Sequence, residues 1–191
     1  MKIVIGLVGE KGSGKETFSK FLKEIANGKE TLHIRFSDLL KETLEAWSIP
    51  VTRHNLQHLV VVMDKGFGVG TLSHAVEKRI ENLKADMVIL DGVRWKTDVD
   101  LLKRFPQNVL VYITSTLHVR YDRLKARGEK TGEESTSFVQ FMKEEKAKNE
   151  LLIPKIGASA DVKIENSGSL KEFREKVEEF YTASLFDLKK K

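Results

Sequence analysis

The sequence predicts an α/β fold, a parallel sheet of about five strands flanked by helices, and two observations carry that expectation. Short apolar runs rich in branched residues, at Ile3 to Val8, Leu32 to Phe36, Met87 to Leu90, Val109 to Ile113 and Val162 to Ile164, read as buried strands. Between them lie segments whose apolar residues recur at helical spacing. These are Phe18, Phe21, Leu22, Ile25; Leu39, Leu40, Leu44, Trp47; Leu72, Val76, Ile80, Leu83; Val119, Leu124; Phe138, Phe141, Met142; and Leu170, Phe173, Val177, Phe180. Strands that alternate with helices pair in parallel, and their C-terminal ends are where a site is expected.

Taken in order, the first strand runs into a glycine loop and then a helix. Ser37 before "DLLKE", with Asp38 in the first turn, reads as a helix start, and Ser169 before "LKEFRE" reads as another. Two polar stretches break the pattern, one around "SIPVTRHN" and one at "RGEKTGEEST"; they mark a flap at about 48–68 and a lid at about 127–137, expected to close over substrate and exclude water. Trp47 and Phe67 are expected in the core. His54 and His58 lie one turn apart as metal ligands do, but no third ligand accompanies them.

Length and composition narrow the function. A chain of 191 residues suits one domain, 1–191, with a proper core. Its 40% apolar and 32% charged residues describe a globular protein, and no run of ~18 apolar residues is present to span a bilayer. The start, Met-Lys-Ile-Val-Ile, leads straight into a strand, so no cleaved targeting segment is expected and the cytoplasm is the default location. The absence of cysteine excludes a disulfide framework and thiolate metal sites. A net charge of +5 favours anionic partners. The excess is spread along the chain, with no basic arm bearing aromatics, which points to a small phosphorylated molecule and away from nucleic acid.

"GLVGEKGSGKETFSKFL", residues 6–22, shows where such an anion would bind. Glycines let consecutive backbone N–H groups turn inward, the helix that follows adds its positive end, and a lysine bridges terminal phosphates. Strand, turn, lysine and helix all coincide here, which is the context a phosphate loop requires; Gly9, Lys11, Gly12, Ser13, Gly14, Lys15, Glu16 and Thr17 form the set. The usual Ser or Thr after the lysine is replaced by Glu16, which affects Mg2+ placement more than the backbone cradle.

"GEKGSGKET" resembles the G-x-x-G-x-G-K-x-T loop of nucleoside monophosphate kinases, in which Thr17 would be the hydroxyl that counts. "MVILDGVR" places Asp91 after four apolar residues, and "LDGVR" is similar to the corresponding segments of adenylate kinases and of phage-type deoxynucleoside monophosphate kinases. The resemblance implies Asp91 as a Mg2+ or water ligand and Arg94 as a bidentate grip on an acceptor phosphate. Arg120, Arg123 and Arg127 share one helix face before the lid; Arg123 and Arg127 match the R-x-x-x-R spacing of nucleotide kinases, where arginines neutralise the transferred phosphoryl group, although a solvated basic face is the rival reading.

"RFSDLLKE" and "VTRHNLQHL" resemble the acceptor region of the deoxynucleoside monophosphate kinases, which implies substrate-binding roles for Asp38, Arg53 and Gln57; Asp38 alone could equally be a helix cap. "ADVKIENSGSLKEF" resembles the closing segment of dephospho-CoA kinases, implying contacts from Asn166 and Gly168 to adenine. The chain thus resembles P-loop nucleotide kinases, of P-loop NTPase-type fold. The implied activity is transfer of the γ-phosphoryl group of ATP, with Mg2+, to a (deoxy)nucleoside monophosphate. Dephospho-CoA is the alternative acceptor, and a nucleotide-dependent switch or slow ATPase the alternative class. No membrane or specific nucleic-acid partner is expected, and a homodimer stays open.

Overall fold

The computed structural model describes residues 2–127, 137–146 and 150–188, without side chains for Arg53, Arg127 and 184–188. The elements in chain order are β1 (Ile3–Val8), α1 (Lys15–Ile25), β2 (Thr31–Arg35), α2 (Phe36–Ala46), α3 (Arg53–Phe67), α4 (Thr71–Asn82), β3 (Met87–Asp91), α5 (Lys96–Leu102), β4 (Gln107–Thr114), α6 (Leu117–Arg127), α7 (Phe138–Glu145), α8 (Ile153–Ala158), β5 (Val162–Glu165) and α9 (Leu170–Leu188). Most of the expected lid lies outside the described residues. No single helix among those described is long and apolar enough to cross a membrane.

The sheet has the order β2-β3-β1-β4-β5, and every pairing is parallel. A strand with both faces covered has no polar side, and β1 and β3 are buried at every position. The pleat sends alternate residues to opposite faces. Ile3, Ile5, Leu7, Met87, Ile89, Val109, Val111 and Ile113 meet Phe18 and Leu22 of α1 and Phe173, Val177 and Phe180 of α9. Val4, Val8, Val88, Leu90, Leu110 and Tyr112 meet α4, α5 and α8 through Val76, Ile80, Leu101, Leu102, Ile153 and Ile156. The result is a helix–sheet–helix sandwich, the architecture of the P-loop kinases. β1 sits between β3 and β4, so the loop after it opens in the middle of the sheet's C-terminal edge.

Three expectations change. Helix α2 begins at Phe36, one residue before Ser37, because Arg35 is the N-cap and Asp38, at the third helical position, accepts from the Arg35 backbone N–H at 2.7 Å. The flap is largely helical: Thr52 caps α3 by accepting from Asn55 N–H at 3.1 Å, and Leu56, Leu59, Val60 and Met63 pack on Leu40 and Leu44 of α2. This small satellite core leaves Trp47 59% and Phe67 83% exposed, so neither is a core residue. Helices α5 and α8 are short; Asp98 caps α5 by accepting from the Trp95 N–H, and burial against the sheet holds both.

Candidate functional site

Backbone geometry builds the loop between β1 and α1. Gly12 (φ 74°) and Gly14 (φ 102°) adopt the left-handed conformation, which other residues rarely take. A Cβ at Gly14 would lie 2.3 Å from Asn166 Nδ2, and one at Gly12 would lie 2.6 Å from the Arg120 carbonyl oxygen. The loop is therefore moulded against two later segments. Asn166 Nδ2 donates to the Ser13 carbonyl at 2.8 Å, and Arg120 Nη1 donates to the Lys11 carbonyl at 3.2 Å. Lys15, the first residue of α1, curls back to donate to the carbonyls of Gly9 (2.7 Å) and Glu10 (3.1 Å).

Across from Lys15 stands Asp91, at the end of β3 and in register with Leu7 of β1 and Arg35 of β2. Its Oδ2 is 3.5 Å from His33 Nε2 and 3.7 Å from Arg35 Nε, while its Oδ1 is buried without a hydrogen-bond partner. Burial pushes the Asp91 carboxyl up, but His33, Lys15 and Arg35 outweigh it and hold the group below the usual aspartate value. Burial holds the Lys15 ammonium below the usual lysine value; Asp91 opposes that shift, Arg94 adds to it, and Glu150 and Glu10 oppose it. Four charged side chains, from the loop itself, the end of β3 with its following turn, and the stretch before α8, thus surround the lysine.

Glu16 does not turn into the cradle. It is mostly exposed and its Oε1 lies 3.3 Å from Arg35 Nη2, which links it to Asp91 through the same guanidinium. Thr17 follows it, half-buried on the first turn of α1. Glu10 is fixed by Tyr112, whose hydroxyl donates to Glu10 Oε1 at 2.5 Å and is pushed up to about 12 by burial and by that carboxylate. The second Glu10 oxygen and Ser13 Oγ are buried without partners. A glycine cradle with orphaned Ser13 and Asp91 oxygens facing a lysine fits a phosphate chain and its metal ion.

Arg94 leaves β3 on a turn that the sequence motif does not explain. Asp98 Oδ2 accepts from the backbone N–H groups of Arg94 (2.9 Å) and Trp95 (3.0 Å), and its Oδ1 accepts from Ser73 Oγ (3.2 Å). Asp98→Ala is expected to cost about 1–3 kcal/mol in urea unfolding, since it strands these donors. An unchanged midpoint would show that other groups hold the turn. The Arg94 guanidinium donates to Glu150 Oε1 at 2.8 Å.

The remaining sequence candidates separate. Arg123 Nη1 donates to the Asn166 carbonyl at 2.9 Å, and Nη2 lies 3.4 Å from Asn166 Oδ1, so these two residues brace each other and the loop. Gly168 lies in the turn before α9, where a Cβ would meet Glu172 Oε2 at 2.2 Å. Asp38 is engaged as the α2 cap, and Gln57 is exposed on α3. The side chains of Arg53 and Arg127 lie outside the described residues. His54 and His58 stack with ring centroids 6.1 Å apart, and no cluster suited to a metal ion occurs among the described residues. Sequence reasoning missed Arg35, His33, Asp98 and Glu150. A charged residue closing a strand, as Arg35 closes β2, was a usable signal; Glu150 carries none, because its partners are distant in sequence.

Comparison with known proteins agrees with this layout. UPF0200 proteins of Pyrococcus abyssi (25% identical over 181 residues; 92% of this chain, 94% of the relative) and Methanoregula boonei (27% over 175 residues; 91% and 93%) are similar along almost their full lengths. Among solved structures, shikimate kinase from Acinetobacter baumannii in complex with shikimate superposes with a TM-score of 0.58 at 16% identity, covering 98% of this chain and 95% of that one. A gluconokinase from Sinorhizobium meliloti 1021 gives 0.57 at 14% identity, covering 97% and 95%. At such identities these likenesses establish the P-loop kinase fold alone. The family model described as AAA domain matches residues 5–147, loop, Asp91 and Arg94 included, and the chain therefore belongs to the AAA domain family.

Proposed function

We propose that the protein is an ATP-dependent phosphotransferase that moves the γ-phosphoryl group to a nucleotide acceptor, with a (deoxy)nucleoside monophosphate preferred. The observation that carries this reading is the convergence of Lys15, at the start of α1, with Asp91 and Arg94, at and just beyond the end of β3, around a glycine cradle. The loop amides and Lys15 take the donor phosphates, and Arg94 takes the acceptor phosphate. Arg123 and Arg127 supply positive charge beside the transferred group, and Asn166 and Gly168 flank the base. Thr17 and Asp91 would hold Mg2+, partly through water, which would supply positive charge for the phosphoryl oxygens. Catalysis then comes from placement and charge, with no covalent intermediate on the chain.

Asp38 bears on the choice of acceptor. A hydroxyl acceptor such as dephospho-CoA needs a carboxylate base to take its proton, and Asp38, the candidate, has one oxygen committed to the Arg35 N–H. A phosphate acceptor needs only arginines, with Arg53 and Gln57 on α3 as further contacts. The switch or slow-ATPase reading draws support from the occupied state of Arg94, which is tied to Glu150. A coupled ADP assay across nucleoside and deoxynucleoside monophosphates, dephospho-CoA, shikimate and gluconate decides. Stimulation by a monophosphate supports the proposal, and turnover indifferent to every acceptor supports the switch.

Glu16 gives a sharper test of the loop. Its partner is Arg35 and the pair is exposed, so Glu16→Gln is expected to change ATP affinity by less than about fivefold. A gain of tenfold or more in calorimetric titration would place the carboxylate against the phosphates instead.

A further inference from the structure

Three carboxylates from one short stretch sit on three cations around the loop. Glu144 Oε2, near the end of α7, lies 3.1 Å from Lys11 Nζ. Its neighbour Glu145 places Oε2 2.6 Å from Arg120 Nη1, and Glu150 places Oε1 2.8 Å from Arg94 Nη1. The pairs differ in what holds them. Arg120 is buried, donates also to the carbonyls of Lys11 and Ser115, and lies 5.6 Å from the Phe141 ring centroid, so Glu145 anchors α7 to the loop's backbone. Lys11 and Glu144 keep 20% and 36% of their side-chain surface exposed, and Arg94 keeps 34%. These cations can exchange partners with water and ligands.

The geometry points to an internal counter-anion: Glu144 and Glu150 occupy Lys11 and Arg94 in place of ligand phosphates, and a polyphosphate entering the loop displaces Glu144 and loosens the end of α7. The inference rests on the reading of the loop as a polyphosphate site. A phosphate chain carries more charge than one carboxylate and is presented by the loop's own amides, so it wins Lys11. Until then the pairing keeps the cradle's charge balanced, which limits capture of stray anions. Arg120 stays on Glu145 throughout, so α7 remains attached there while Glu144 lets go.

Titration of the full chain with inorganic tripolyphosphate, which loads the loop without a base, tests this in four proteins, wild type, Glu144→Gln, Lys11→Met and the double variant, with Lys15→Ala as a separate control for the loop. Glu144→Gln is expected to tighten binding about two- to fivefold, the scale of a part-exposed ion pair. In the Lys11→Met background the same substitution should give no gain. Hydrogen exchange at the amides of Phe141 to Glu145 should rise when wild type is loaded. Equal or weaker binding by Glu144→Gln, the same gain in both backgrounds, or unchanged exchange overturns the proposal. Binding that is lost in Lys15→Ala but unaltered in Glu144→Gln leaves the phosphate loop standing and removes this inference alone. No binding by any of the four proteins removes both.

Discussion

Replacing Lys15 by Ala is expected to cut ATP turnover by about 10²–10³-fold, the scale of removing one group that stabilises developing charge. Among the described residues Lys15 hydrogen-bonds to carbonyls of its own loop and lies near Asp91, Glu10 and Glu150, so its ammonium is held at the cradle. Phosphoryl oxygens are better partners for it than amide carbonyls. Lys15 also helps to hold the buried Asp91 carboxylate, so its removal costs some stability, and a urea midpoint that still leaves the Ala variant folded at assay temperature would separate the catalytic loss from misfolding. Lys15→Arg should not restore the rate, since a planar guanidinium cannot follow the curled path to Gly9 and Glu10. Retention of most of the turnover in Lys15→Ala would remove the loop from the chemistry.

Arg94→Ala is the second large effect, and its signature differs. Arg94 lies beyond Asp91, on the turn pinned by Asp98, with its guanidinium reaching Glu150. If it grips the acceptor, its loss should reduce transfer by about 10²–10³-fold and raise the acceptor KM, while ATP affinity stays within about twofold. A switch without an acceptor gives no such split. Removing Arg94 also leaves Glu150 buried without that cation, which costs stability. Arg94→Lys is therefore the companion: it keeps the charge beside Glu150 but loses the bidentate fork, so stability should return while transfer stays low.

The parts of the fold legible in sequence were those with continuous local signals. β1 and β3 are buried on both faces and so read as unbroken apolar runs, and the loop is a main-chain device whose glycines announce it. Helix α3 was not legible, because "LVVVM" has three valines in succession, a β-like signal that packing of Leu56, Leu59 and Met63 overrides. Trp47 and Phe67 read as core by residue type, yet the flap's small cluster leaves both exposed. At the candidate site, Lys15 came from the loop motif, Asp91 from a carboxylate closing an apolar run, and Arg94 from the family resemblance. The distant pairings around them could not be read this way. Glu150 meets Arg94 across 56 residues and Arg120 meets Lys11 across 109, and only topology sets such pairings. Asn166 shows the same gap: its place before the last helix was visible, whereas its amide's use as a brace on Ser13 required the fold.

The most direct measurement follows the label itself. Wild-type protein is incubated with Mg2+, γ-labelled ATP and a panel of nucleoside and deoxynucleoside monophosphates, and the products are separated. The account predicts that label leaves ATP and returns in a nucleoside diphosphate, and that Arg94→Ala blocks this transfer. Label recovered only as inorganic phosphate, at a rate no acceptor changes, would contradict it.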